Sequence, residues 1–255
     1  MKKAIMLGLA SVGILAASSP AVLASEVQTT SDVIFRVNPN PDEVDVVKPG
    51  TPDDKITPEG GGHTKGNLRI THVPDIHFGI QDISSSSKEF HPAMQKYTEA
   101  NTEKFMPHFV QIDDARGSMT ATWSLSVTGS VFTPATASNP KLENTYITLD
   151  QQTVTNNVYD ELSPTETAKR VTGFTDSAKI NTDGKTSVEI LKVNSGQNTN
   201  STKTSNVFTT GYSKTTEYEA SQKNDGITLH VPANDIKVDG ETYTATLNWV
   251  LADSI

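Results

Sequence analysis

Two indoles are the side chains best placed to do ligand chemistry in this sequence. Trp123 and Trp249 are its only tryptophans. Each opens the same short motif, Trp123-Ser124-Leu125 and Trp249-Val250-Leu251. An indole stacks on the apolar face of a sugar, and its single N–H donates one hydrogen bond. The same rings could equally fill a core, because spacing of two puts Trp123 beside Leu125 and Val127, and Trp249 beside Leu247 and Leu251. The sequence leaves both readings open. Ahead of the first motif stand Asp113, Asp114 and Arg116. A guanidinium there could hold a peptide carboxylate in a two-pronged grip, or be consumed locally as an ion pair.

Other chemistries find less support. His72, Asp75 and His77 are close in sequence, but no His-Glu-x-x-His pattern accompanies them. A catalytic zinc needs three ligands and an open position. Asn181 to Gly184 resembles part of a calcium loop, yet an EF-hand frame would place Lys179 first and Ile190 twelfth, which breaks the ligand rule. The segment reads as a turn. No G-x-S-x-G elbow and no S-x-x-K motif occurs. With 30 acidic residues, a glycosidase pair has nothing to single it out. No metal, cofactor or catalytic residue is expected, and the chain reads as a binding protein rather than an enzyme.

The elements that must carry these residues read as strands. Leu68 to His72, Tyr146 to Leu149, Thr186 to Val193 and Ile227 to Val231 are short runs rich in β-branched residues. The final run places Tyr243, Ala245, Leu247, Trp249 and Leu251 on one face, with Thr244, Thr246 and Asn248 on the other, the pattern of a half-buried strand. Asp183-Gly184, Asp225-Gly226 and Asp239-Gly240 supply turns. A short helix is expected within 92–104, which is rich in Ala, Met, Gln, Lys and Glu. Thr, Ser and Asn mark long loops, notably 194–206. The expected fold is all-β, a sandwich or partly open barrel with long polar loops.

The start of the chain has the layout of an export signal. Lys2 and Lys3 precede an apolar run from Ala4 to Ala17, and Val22-Leu23-Ala24 offers small residues for cleavage after Ala24. Losing Lys2 and Lys3 takes the net charge from -9 to -11. Such acidity disfavours nucleic acid, whose phosphates attract a basic face. The absence of cysteine excludes disulfide staples and thiol chemistry in an exported protein. No later segment is apolar enough for a transmembrane anchor. Residues 25–65 are acidic and dense in Pro and Gly, and read as an arm or linker. Val33 to Val37 is a candidate strand within it, and residues 66–255 form the main domain.

Four segments of that domain resemble the WxL family of surface proteins from low-GC Gram-positive bacteria. They are Gly66 to Gly79 with its G-x-L-x-I-x-x-V-P run, Val110 to Gly117, Trp123 to Leu125, and Ile227 to Leu251. What the resemblance implies is a secreted protein held non-covalently at the cell wall, with peptidoglycan as partner, within a larger complex of surface proteins. The absence of an L-P-x-T-G sorting signal is consistent with non-covalent retention. Trp123, Leu125, Arg116, Asp113, Tyr243, Trp249 and Leu251 are the candidate contact residues. The alternative is an adhesin for host matrix or another surface protein, using the polar stretch between Gln151 and Lys223.

Overall fold

The computed structural model describes residues 30–254, apart from 42, 43 and 164. The expected signal segment 1–24 and its cleavage point lie outside the described residues. The chain divides into two units between Phe35 and Arg36, and every described helix and strand belongs to the second.

In chain order the strands are β1 (Val46–Val47), β2 (Lys55–Pro58), β3 (Leu68–His72), β4 (Lys88–Phe90), β5 (Gln95–Glu99), β6 (Thr102–Met106), β7 (Phe109–Asp114), β8 (Thr122–Gly129), β9 (Thr133–Pro134), β10 (Tyr146–Leu149) and β11 (Thr153–Asn156). Two short helices follow, α1 (Tyr159–Leu162) and α2 (Glu166–Arg170). Then come β12 (Val171–Gly173), β13 (Ala178–Ile180), β14 (Val188–Val193), β15 (Thr202–Val207), β16 (Ile227–Val231), β17 (Tyr243–Thr244) and β18 (Leu247–Ser254).

The strands form small antiparallel sheets, ordered β1-β2-β5-β6, β13-β10-β16-β4, β11-β15-β7-β3 and β12-β14-β8-β18, with β17 paired to β9. Among the described residues no closed barrel forms. One apolar core joins the inner faces of three of these sheets, through Ile112, Leu125, Leu149, Ile180, Leu191 and Ile227. A smaller cluster of Ile56, Tyr97, Met106, Phe109 and Val207 seats the first sheet. The all-β expectation therefore holds. The reason is the period-two burial along the long strands, most regular on β8, where Trp123, Leu125, Val127 and Gly129 turn inward and Thr122, Ser124, Ser126 and Thr128 do not.

Four local expectations are corrected. The stretch 92–104 is not helical. It forms the β5–β6 hairpin, in which Glu99 pairs with Thr102 across Ala100 and Asn101. Both turn residues have positive φ, 47° and 63°, as a tight primed turn requires. Gln95 and Tyr97 point inward while Lys96 and Thr98 point outward, so packing overrides helical propensity.

Residues 25–65 are not a free arm throughout. Val47 on β1 and Ile56 on β2 are buried, and β2 pairs with β5. The buried Gln111 side chain mimics a strand edge for β1: its Oε1 accepts from Val47 N (3.1 Å) and its Nε2 donates to Val47 O (2.8 Å).

Val33 to Val37 forms no strand, since no neighbour pairs with it and a lone extended segment gains no ladder bonds.

Residues 194–206 are not all loop. The second part is β15, pinned between β11 and β7. Its buried Thr204 and Ser205 are bonded by neighbours, through Asn156 Nδ2 to Thr204 Oγ1 at 2.9 Å and Gln111 Nε2 to Ser205 Oγ at 2.9 Å. Threonine suits a strand sterically, and a bonded hydroxyl tolerates burial.

Candidate functional site

The two Trp-x-Leu motifs lie on neighbouring strands. β8 and β18 run antiparallel in an unbroken register, with Leu251 opposite Leu125, Trp249 opposite Val127, and Asp253 opposite Trp123. The two leucines thus meet at the centre and the indoles flank them, about 13 Å apart along the ladder at ~3.3 Å per residue.

The two rings sit in different surroundings. Trp123 is 2% exposed. Its Nε1 donates to Thr199 Oγ1 at 2.8 Å, and Thr199 Oγ1 donates in turn to Asp114 Oδ2 at 3.1 Å. Its one donor is therefore spent inside the fold. Trp249 is half-buried on the outermost strand of its sheet. Leu251 is likewise half-buried and Leu125 fully buried.

The charged cluster is an internal clasp. Arg116 donates from Nε to Asp114 Oδ1 (2.9 Å) and from Nη2 to Asp114 Oδ2 (2.8 Å). Its Nη1 reaches Thr122 O (3.2 Å) and Asp253 on the last strand. The Asp114 carboxylate holds the Arg116 guanidinium still more firmly in its charged form. Asp113 is taken up separately, by Arg69 Nη2 at 2.6 Å and Lys203 Nζ at 3.2 Å. These groups tie β3, β7, β8, β15 and β18 together, and the Arg116 guanidinium is bonded within the chain at all three of its nitrogens.

Trp249 and Tyr243 line a groove of about 1210 Å³. One wall is the irregular segment 74–86 and the other is the run 237–249, with Phe132, Ile147, Leu229 and Val231 beneath. The Tyr243 hydroxyl accepts from Val238 N (3.2 Å), which fixes the ring while leaving its flank on the groove. Ile80 and Ile83 on the opposite wall are exposed. Polar Thr242, Thr244 and Thr246 also lie along it. Aromatic flanks beside hydroxyls and carboxylates suit a sugar or a short peptide, since a ring covers apolar faces and polar groups meet hydroxyls and amides.

The histidine region has another role. His72 is buried and its Nε2 lies 2.9 Å from Gln95 Nε2, while its ring packs on Phe109. Burial lowers His72 to about 4, and burial with neighbouring histidines lowers His108 to about 4. Asp75 accepts from Gly61 N at 2.8 Å. Asp183 accepts from Lys185 N and Thr186 N, each at 2.8 Å, and the Thr186 hydroxyl, followed by these backbone donors, lowers its carboxyl to about 2. Asn181 to Gly184 is thus a capped turn.

Of the seven residues singled out in the sequence, the structure brings Trp249 and Tyr243 onto the groove. It places Trp123, Leu125, Asp113 and Arg116 inside the fold, and Leu251 at its margin. In the sequence the segment 74–86 stands out only for metal ligands, at Asp75 and His77, and for its family resemblance up to Gly79, not as a groove wall. Its signal is the apolar alternation of Ile76, Phe78 and Ile80, followed by Ile83.

A family model described as the WxL domain, surface cell wall-binding, matches residues 23–254. Neither a curated protein nor a solved structure gives a significant match.

Proposed function

Because the chain belongs to the WxL family of surface cell-wall-binding domains, we propose that it is a secreted protein that attaches non-covalently to peptidoglycan, using the groove beside its last strand. The observation that carries this reading is the contrast between its two indoles. Trp123 spends its N–H on Thr199 within the core, whereas Trp249 is half-buried and lines the groove with Tyr243. A ring held at a groove lip can cover a sugar face with little loss of side-chain freedom. The groove runs past Asp75, Asp239 and Glu241 as well as Lys88 and Lys237, groups able to meet the hydroxyls, amides and charged ends of wall polymer. A family of binding domains and a site without an assembled nucleophile and base favour retention over catalysis. The protein then acts as a wall-held subunit of a larger surface complex.

The test is co-sedimentation of the purified protein with bare walls, before and after stripping of attached polymers. Wild type is expected to pellet with both. The double substitution Trp249→Ala and Tyr243→Ala is expected to weaken binding at least about tenfold, as about 1.4 kcal/mol from two lost aromatic contacts gives. Protein that stays in solution with excess wall, or that needs the attached polymers, contradicts the reading.

A further inference from the structure

Among the described residues β18 is the longest edge strand, at eight residues; it hydrogen-bonds to β8 alone and also touches β3. Sheet edges invite pairing with another chain unless they are short, charged, bulged or covered. The other edges of the four-stranded sheets carry such devices. β12 and β13 have three residues each, β4 has three with Lys88 and Glu89, and β1 has two. β6 carries Glu103 and Lys104. β3 carries Arg69 and a bulge between Ile70 and His72. β11 has four residues and leads straight into the helical turn of α1. β18 has no proline and no lysine or arginine, and its register is unbroken. Its one charge, Asp253, is drawn to Arg116.

The geometry of this edge specifies what fits it. Ser130 N donates to Thr246 O at 2.9 Å, so Thr246 turns its backbone groups toward the β8 side. Antiparallel alternation then turns the N–H and C=O of Leu247, Trp249, Leu251 and Asp253 to the open edge. A second strand meeting that edge in an antiparallel sense must also offer its odd-numbered residues. The sequence meets this condition with itself. Centred on Val250, Trp249 faces Leu251 of the second copy and Leu247 faces Asp253, while Val250 faces its own equivalent. That register uses every open backbone group of the strand. It also gives two aromatic–aliphatic cross-strand pairs on the inner face. Val250 is 47% exposed on the outer face, at a position where opposed side chains come closest.

We propose that two copies of this chain associate through β18, antiparallel about a two-fold axis at Val250, merging the sheets β12-β14-β8-β18 of both into one. A symmetric contact of this kind closes on itself and does not propagate into fibres.

The test is light scattering of the secreted protein over a range of concentrations, beside Val250→Lys and Val250→Glu. Wild type is expected to reach twice its own single-chain mass. Each variant alone is expected to stay at the single-chain mass, because like charges then stand directly opposite. An equal mixture of the two is expected to restore the doubled mass. Far-ultraviolet dichroism confirms that both variants fold. A single-chain mass for wild type up to its solubility limit overturns the proposal. So does a doubled mass for either variant alone, or a mixture that stays single.

Discussion

Leu125 and Leu251 stand directly opposite each other on antiparallel strands that are 126 residues apart in sequence. One is fully buried and the other half-buried, so the pair grades from core to rim. It is the point at which the mid-chain motif and the terminal motif join in one sheet. Leu125→Ala is expected to cost about 2–5 kcal/mol, because a buried leucine leaves a cavity. Leu251→Ala is expected to cost clearly less, since water already reaches it. Urea unfolding of both variants measures the difference, and equal costs would contradict the graded burial.

Arg116 is expected to be structural. Its side chain is 12% exposed and that of Asp114 is 3% exposed, so removing one partner leaves a largely buried charge unpaired. Arg116→Ala should cost about 3–5 kcal/mol. Arg116→Lys should recover only part, because an ammonium cannot replace the two-pronged contact. Urea midpoints give the stability. Wall binding by whatever remains folded should be unchanged, since the guanidinium is engaged within the chain.

Stability should fall on acidification. His72 and His108 each sit at about 4 in the fold against 6.5 ordinarily. The fold therefore favours their neutral forms, while the unfolded chain takes up protons below 6.5. Their contribution is fully present above 6.5 and is lost as pH falls from 6.5 to 4, by about 3 kcal/mol per histidine at most. Thermal or urea unfolding across that window should show destabilisation approaching a two-proton slope. A flat profile would contradict the burial of these rings.

Much of this architecture was legible in the residues. The β18 alternation shows through because one face of a half-covered strand must be apolar at every second position. The role of Arg116 was also visible as an alternative, since two aspartates stand within three residues of it. The hairpin at 95–106 was not. Its Ala, Lys and Glu content favours a helix locally, and only the distant partner β2 and the small core around Tyr97 reverse that preference. β15 was hidden for a related reason: Thr, Ser and Asn look like loop until cross-strand bonds to Asn156 and Gln111 are known. The groove was legible only on the side of Tyr243 and Trp249, because its other wall, 74–86, is far away in sequence and only the fold brings the two together.

The hairpin turn supplies its own check. Asn101, at φ 63°, should tolerate Gly with little loss. Val there should cost about 1–2 kcal/mol, because a β-branched side chain resists the left-handed region. The shift in urea midpoint measures it, and a helical turn at this place would show the opposite order.

The most direct test of the central claim uses the fact that the chain has only two tryptophans. Trp123→Phe leaves Trp249 as the single indole, and Trp249→Phe leaves Trp123. Solubilised peptidoglycan fragments are titrated into each while emission is recorded. The account predicts a saturable change in intensity and wavelength for the protein that keeps Trp249, and none for the one that keeps Trp123. A response from Trp123, or silence from Trp249 while the protein still pellets with walls, would contradict it.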